Sequence, residues 1–337
     1  MRSLQRVSFN ELALRLGVAP RALLDAGRAA GLLPTAAAPR DLALGAVPGL
    51  LAVFRETHHR PHLGWDLPDW LVASDDPVWR VLASVYAEPM TRPASLPPSQ
   101  GRQLYDLVLA AAPRRAVEIG SFLGVSTLWM ASALRRLGGG HVTAVDVFEP
   151  RLPFAPTHCG CIVDPAGFVA AAAARAGVAD YVTLAPGDSR AFARGLAARD
   201  LGSIDFLFID GDHSVGGCLD DFLTFLPFVR VGGQILLHDT HPARCGWPGP
   251  RHVIDHYLRD NRHFSVREIV TEPDYGMALV TKLDDGPALT VGRRARAALT
   301  LYPHRALRAC VTHPGLRRSV KPALTALKLR LRGLGAL

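Results

Sequence analysis

The chain has 337 residues, of which 49% are hydrophobic and 20% are charged, and it contains 31 glycines and 26 prolines. This composition excludes a disordered, collagen-like or disulfide-scaffold protein, and the length suffices for one large domain with additions or for two domains. The net charge of +8 comes from the chain after Asp285, which holds eleven basic residues and no acid, whereas the preceding part holds 27 basic and 30 acidic residues.

The sequence shows none of the usual signs of membrane insertion or secretion. It contains no stretch of about 18 uncharged apolar residues, and its first residues lack an apolar run followed by a cleavage site. The five cysteines are sparse and odd in number, which favours reduced thiols over a disulfide framework. We therefore predict a cytoplasmic protein.

Residues 1–35 are predicted to form a small helical module. Ser8 and Glu11 have the spacing of a capping box at the start of a first helix, and Pro20 suits the first position of a second. Either a helix-turn-helix-like unit or a small appendage packed on the main domain would give this pattern. Residues 36–95 are rich in proline, tryptophan and histidine, and we predict that they form a linker or a lid.

From residue 96 to residue 284, apolar strand-like runs alternate with helical stretches. This alternation predicts an α/β fold, in which a doubly wound, mostly parallel, Rossmann-like sheet is covered by helices on both faces. Asp274-Tyr275-Gly276 precedes the last run and predicts a terminal antiparallel hairpin. The predicted strands are Arg115–Ile119, His141–Val147, Tyr181–Ala185, Ile204–Asp210, Gln234–His238, Phe264–Val270 and Tyr275–Lys282.

Small residues and acids follow the first three of these strands. Small residues after the first strand let the backbone approach a ligand closely, and free amides at the next helix favour an anionic group. Asp146 ends the second strand, where a carboxylate can accept both hydroxyls of a ribose. Asp188 follows the third strand and can accept the amine of an adenine. The residues concerned in the first and third loops are Glu118, Gly120, Ser121, Gly124, Ser126 and Thr127, and then Gly187, Asp188 and Ser189.

Two further strands end in acids and histidines. If these strands are neighbours, Asp210 and Asp239 meet at the carboxyl edge of the sheet, where they repel each other unless a cation or a proton lies between them. Such oxygen ligands suit Mg²⁺ or another hard divalent cation, with His238 as a further candidate ligand. The alternative is a hydrogen-bonded network without a metal. His213, three residues after Asp210, suits proton abstraction at neutral pH.

In this order the motifs resemble those of the class I S-adenosylmethionine-dependent methyltransferases, over roughly residues 96–284. The Ile209–Ser214 stretch and the His238–Thr240 strand end are similar to those of small-molecule O-methyltransferases of the macrolide-sugar and catechol types. The resemblance implies S-adenosylmethionine as the cofactor, with its methionine part at the first loop, its ribose at Asp146 and its adenine at Asp188. The cofactor-binding residues it implies are Glu118, Gly120, Ser121, Gly124, Ser126, Thr127, Asp146, Gly187, Asp188, Ser189 and Asp210.

The resemblance also implies catalytic roles. In metal-dependent relatives, Asp210 and Asp239 match ligating carboxylates, and His213 matches a catalytic base. The sequence departs from these relatives at two positions. The residue before the second Asp is often Glu in the sugar-modifying relatives and is His238 here, and the residue after it is Asn in the catechol type and Thr240 here.

The function implied is methyl transfer to a hydroxyl of a small molecule, such as a sugar, a polyketide or a phenol. One alternative is a nucleic-acid-associated methyltransferase or sensor that uses the N-terminal helices and the basic tail, and another is a non-methylating relative. Nucleic acid is disfavoured because the main domain is slightly acidic and lacks an Asn/Asp-Pro-Pro-Tyr motif. The tail at 285–337 is predicted to be helical, either as a solvated extension or as a contact with an anionic membrane surface. The oligomeric state stays open.

Overall fold

The computed structural model describes residues 6–35, 39–58, 64–153, 160–270 and 274–286. After Gly286, the predicted basic tail lies outside the described residues, so its membrane contact stays a prediction. Residues Ile254–Leu258 form a π-helical turn directly after the helix Gly249–Val253. The helices are α1 Phe9–Arg15, α2 Pro20–Ala29, α3 Val47–His58, α4 Asp69–Val72, α5 Pro77–Tyr86, α6 Thr91–Ala94, α7 Pro98–Ala111, α8 Val125–Leu137, α9 Pro165–Arg175, α10 Ser189–Gly195, α11 Val215–Phe225, α12 Pro242–Cys245 and α13 Gly249–Val253.

The strands are β1 Arg6–Ser8, β2 Asp41–Ala43, β3 Arg115–Ile119, β4 His141–Asp146, β5 Val182–Pro186, β6 Ile204–Ile209, β7 Val229–His238, β8 Phe264–Ile269 and β9 Met277–Lys282. Within the described residues, seven of them form one sheet in the order β5-β4-β3-β6-β7-β9-β8. Strands β3 to β7 are parallel, and the terminal pair β8–β9 is antiparallel. The predicted α/β fold class is therefore confirmed. The winding reverses between β3 and β6, which is the switch point where such sheets bind ligands.

The parallel strands are apolar because helices cover both faces of the sheet. In β6, every side chain except that of Asp205 is buried. On one face, α5, α7, α8 and α9 enclose a core that includes Trp129, whose Nε1 donates to the Tyr86 hydroxyl at 3.0 Å. On the other face, α10, α11 and α13 pack over a core around Phe222. This double cover leaves the carboxyl ends of the strands as the place where polar loops meet.

A separate apolar cluster lies at the N-terminus. Helices α1, α2 and α3 enclose it together with the β1–β2 pair, and it reaches from Val7 to Phe54. The Ser8 side chain caps α1 by accepting from the Glu11 amide at 3.5 Å. Leu152 and Val163, from the segment after β4, pack against this cluster. The cluster therefore supports a segment that also carries part of the cavity wall described below.

Residues 64–96 pack on the core that covers one face of the main sheet rather than on that cluster. Leu71 and the buried face of α5 join the core around Trp129, and Trp65 packs against it. Pro93–Leu96 reach the carboxyl edge of the sheet and line the cavity there. Among the helices formed by the described residues, none is both long and apolar enough to cross a membrane.

Candidate active site

A cavity of about 690 Å³ opens at the carboxyl ends of the parallel strands, next to the switch point. Of the predicted residues, Glu118, Gly124 and Thr127 are not part of its wall; Glu118 and Thr127 are fully buried. The other predicted site residues line this one cavity: Gly120, Ser121, Ser126, Asp146, Gly187, Asp188, Ser189, Asp210, His213, His238 and Asp239.

The glycines of the first loop bring chain segments close together. Gly120 has a φ of +88°, and a Cβ added there would come within 2.3 Å of the Asp210 carbonyl oxygen. Gly124 begins α8 with a φ of +79°, and a Cβ there would come within 2.7 Å of Val169 on α9. Both positions therefore require glycine for backbone conformation and for close approach. The loop owes its shape to the packing of β3 against β6 as well as to any ligand.

Glu118 is a fully buried acid beside the cavity. The Ser121 hydroxyl donates to that of Thr127 at 2.7 Å, and Thr127 in turn donates to Glu118 Oε2. Glu118 Oε1 makes no hydrogen bond of ordinary geometry with the described residues. Burial raises the pKa of Glu118 to about 8, and the charges of Asp210 and Asp146 act in the same direction. A buried oxygen without a partner is costly, so Oε1 fits a ligand that brings a hydrogen-bond donor.

Asp146 is held by the backbone of two loops. Its Oδ2 accepts from the amides of Ser121 and Phe122 at 3.0 and 2.9 Å. Its Oδ1 accepts from the Phe148 amide at 2.8 Å and, in a longer contact of 3.4 Å, from the Arg151 guanidinium. The ribose contact implied by the resemblance thus requires an exchange of partners, and the Arg151 contact is the weakest of the four.

The loop after β5 supplies the third predicted acid. Asp188 caps α10, because its Oδ1 accepts from the amides of Arg190 and Ala191 at 3.0 and 3.1 Å. The Ser189 hydroxyl donates to Asp221 Oδ1 at 2.6 Å. Asp221 lines the cavity, and burial raises its pKa to about 6. The sequence analysis missed Asp221, although an acid on the buried face of α11 was a usable signal.

Asp210 and Asp239 lie together at the ends of β6 and β7, with a histidine on either side. His213 Nε2 is 3.1 Å from Asp210 Oδ1 and 3.3 Å from Asp239 Oδ2. His238 Nδ1 is 2.8 Å from Asp210 Oδ1 and 3.2 Å from Asp239 Oδ1. Each of these ring nitrogens therefore hydrogen-bonds to Asp210 and also lies close to Asp239. Asp239 has a φ of +55°, an uncommon conformation for a residue other than glycine and one that concentrates at functional sites.

The carboxylates and histidines of this cluster shift one another's pKa values toward the charged forms. Burial alone would raise the pKa of Asp210, but the charge of His238 and hydrogen bonds from both histidines outweigh it and hold that pKa well below its usual range. Burial alone would lower the histidine pKa values; instead the carboxylates raise the pKa of His213 above its ordinary value and that of His238 to about 9. Burial raises the pKa of Asp239. At neutral pH, His238 is therefore a buried cation.

The spacing of the cluster alone would admit a metal ion, since ligand atoms of Asp210, His213 and His238 lie within 4.8 Å of one another. The donor chemistry does not fit Mg²⁺. His238 Nδ1 faces carboxylate oxygens and must donate to them, and Nε2 is 2.8 Å from the Gln100 side-chain oxygen. A ring with hydrogen on both nitrogens offers no lone pair to a metal. The Thr240 hydroxyl is fully buried and is not in the cavity wall. The metal role predicted for His238 stays a prediction, and the hydrogen-bonding of its ring favours a charged side chain over a metal ligand.

The wall also contains residues that no sequence motif marked. Trp247 is 52% exposed, and its ring centroid lies 6.1 Å from that of His213. Cys245 and Tyr275 line the same side. Gln100 is buried at the start of α7 and contacts His238 across 138 positions of sequence. These contacts come from loops and a helix that carry no repeating pattern, so only the fold reveals them.

Residues 117–240 match a family described as Methyltransferase domain. The chain is similar to the cofactor-bound Rv0187 protein from MTB, with 23% identity and a TM-score of 0.50, over 64% of this chain and 94% of that one. It is similar to a putative O-methyltransferase from Klebsiella pneumoniae, with 21% identity and a TM-score of 0.50, over 64% of this chain and 96% of that one.

At these identities the two structures establish a shared fold, and the family match adds the kind of domain. The resemblance drawn from the sequence is thereby confirmed. Residues 117–240 thus match the Methyltransferase domain family, and the chain shares the fold of these two solved structures.

Proposed function

We propose that the protein is an O-methyltransferase that moves the methyl group of S-adenosylmethionine to a hydroxyl of a small molecule, such as a sugar, a polyketide or a phenol. The observation that carries the proposal is His213. Its Nε2 is held by two carboxylates, and it lines the same cavity as the first loop. A base and a nucleotide-sized cleft therefore share one cavity, whose volume lies in the range of small-molecule sites.

The residues of the first three loops would hold the cofactor. Glu118 Oε1 offers an acceptor for the ammonium of the methionine part, Asp146 would take the ribose, and Asp188 with Ser189 would meet the adenine edge. When bound, S-adenosylmethionine supplies a methyl group on a sulfonium, which an acceptor oxygen attacks in line with the leaving sulfur. The chain contributes the orientation of both partners in a cavity bordered by buried strands.

His213 would activate the acceptor. Because carboxylates face its Nε2, that nitrogen carries the hydrogen and the lone pair is on Nδ1. Nδ1 takes the hydroxyl proton as the oxygen–carbon bond forms, and Asp210 with Asp239 stabilises the resulting imidazolium. This is the same logic by which a buried acid orients a catalytic histidine in hydrolases.

The cavity wall includes an aromatic side chain beside the proposed base. Trp247 lies next to His213, and Pro93, Leu96 and Tyr275 line the same cavity. An exposed indole next to a base suits a flat ring or the apolar face of a sugar. No contact in the described cavity favours the nucleic-acid alternative over a small acceptor.

A donor-consumption screen tests the proposal. Purified protein is incubated with S-adenosylmethionine and panels of hydroxylated sugars, catechols and macrolides, and S-adenosylhomocysteine and the product mass are measured. We expect turnover with at least one panel and none with acceptors whose hydroxyls are already methylated. The variant His256→Gln, an exposed residue outside the cavity, should behave like wild type. Failure of wild type to bind S-adenosylmethionine in calorimetry would contradict the proposal.

A further inference from the structure

His238 is the least exposed member of the catalytic cluster. It is the last residue of β7, its side chain is 6% exposed, and its ring lies edge-on to Phe208 with centroids 6.4 Å apart. Both of its ring nitrogens are engaged, Nδ1 with Asp210 and Asp239 and Nε2 with Gln100. The ring therefore has no nitrogen left for another ligand.

The cluster is balanced by its own side chains. Two buried carboxylates repel each other unless positive charge lies between them. His238 Nδ1 donates to Asp210 Oδ1 at 2.8 Å and lies 3.2 Å from Asp239 Oδ1, so the ring's charge faces both carboxylates. Asp239 Oδ1 makes no hydrogen bond with the described residues, so the positive charge of the His238 ring, whose Nδ1 lies 3.2 Å away, is what compensates it.

A protonated histidine at position 238 changes the net charge of the cluster as much as a bound divalent cation would. A glutamate at this position would make the cluster a set of three acids, which needs a cation to hold it together. A protonated histidine in place of that glutamate raises the charge of the cluster by two units, as much as a divalent cation would. The contact of Nε2 with the Gln100 side-chain oxygen, at 2.8 Å, orients the ring so that Nδ1 faces the carboxylates.

We propose that His238 takes the place of a divalent cation in this site. It holds Asp210 and Asp239 together, and the two carboxylates in turn hold His213 as the base. The inference rests on the proposed function, which gives His213 its role. His238 is thus a positioning residue, and methyl transfer in this protein proceeds without a bound metal.

Metal titration of the full chain tests the inference directly. Protein treated with a chelator and dialysed is titrated with Mg²⁺, Mn²⁺ and Zn²⁺ in a calorimeter, with and without S-adenosylmethionine. We expect no stoichiometric binding to wild type, and one Mg²⁺ or Mn²⁺ per chain for His238→Glu, at least about 100-fold tighter than for wild type. The matched control His256→Glu adds a carboxylate at an exposed position outside the cavity and should behave like wild type.

Two further measurements keep the test decisive if His238→Glu does not fold. In ¹⁵N spectra of wild type, both ring nitrogens of His238 should carry hydrogen at neutral pH, and a chelator should leave turnover unchanged. One-site metal binding by wild type, or turnover lost with chelator and restored by a metal, would overturn the inference. Because the titration and the spectra need no acceptor, they remain valid even where the donor fails to bind, a result that overturns the proposed function alone.

Discussion

The two halves of the cavity hold their acids in different ways. In the cofactor half, Asp146 accepts from backbone amides of the loop after β3, and Asp188 accepts from backbone amides in the first turn of α10. In the catalytic half, Asp210 and Asp239 are held by the side chains of two histidines. Backbone amides do not titrate near neutral pH, whereas imidazoles do. The hydrogen bonds that hold Asp146 and Asp188 therefore do not change with pH near neutrality, whereas those that hold Asp210 and Asp239 come from side chains that can exchange protons.

The largest effect should follow from removing the base. His213→Ala leaves the acceptor hydroxyl without a proton acceptor, so we expect kcat to fall about 10²- to 10⁴-fold. Cofactor affinity, measured by calorimetry, should remain near that of wild type because His213 belongs to the catalytic half. Retained turnover would remove the base role, and an equal loss of cofactor affinity would erase the distinction between the halves.

The next largest effect should be a dependence of the unfolding free energy on pH that comes from His238 in the catalytic half. Since the pKa of His238 is raised to about 9 in the folded chain from an ordinary 6.5, its contribution is fully present below pH 6.5 and is lost as pH rises to about 9. The loss amounts to about 3 kcal/mol of unfolding free energy. Urea denaturation at pH 6.5 and 9 measures it, and His238→Gln serves as the reference that cannot titrate. Equal pH dependence in the two proteins would contradict the assignment.

Much of the fold followed from the sequence because its signals are local. Each predicted strand of the main sheet overlaps an observed one. Strands of a parallel sheet are buried on both faces, so they appear in the sequence as short apolar runs between polar loops. The start of β7 differs: it begins at Val229 rather than at Gln234. The strand continues through Gly232 and Gly233 with a shift in its register against β6.

The site was less predictable because its contacts cross the chain. The sequence placed Asp210, His213, His238 and Asp239 near one another through the rule that parallel strands end at one edge. It did not contain the contact between Gln100 and His238, which engages the second nitrogen of the ring. It also did not show that backbone amides already occupy Asp146.

A pair of substitutions tests whether backbone amides hold the acids of the cofactor half in place. Asp146→Asn keeps one acceptor oxygen and places an amide against backbone donors, so we expect a loss of about 1.5–3 kcal/mol for each charged hydrogen bond removed, with weaker cofactor binding. Asp188→Asn is the matched control, because Asn caps a helix as well as Asp does and should cost only a few tenths of a kcal/mol. Thermal and urea unfolding measure both. Equal costs would mean that Asp146 does not hold the two loops.

Glu118 accepts from the Thr127 hydroxyl rather than from backbone amides, and it should give the smallest effect. With its pKa raised to about 8, its carboxyl is mostly protonated at pH 7, and contact with the cofactor ammonium would lower that pKa. Binding should therefore release up to about one proton, and affinity should rise with pH between 6 and 8. Calorimetry in buffers of different ionisation enthalpy measures the release. Glu118→Gln should bind without it, and a wild type that releases no proton would show that Glu118 does not meet the ammonium.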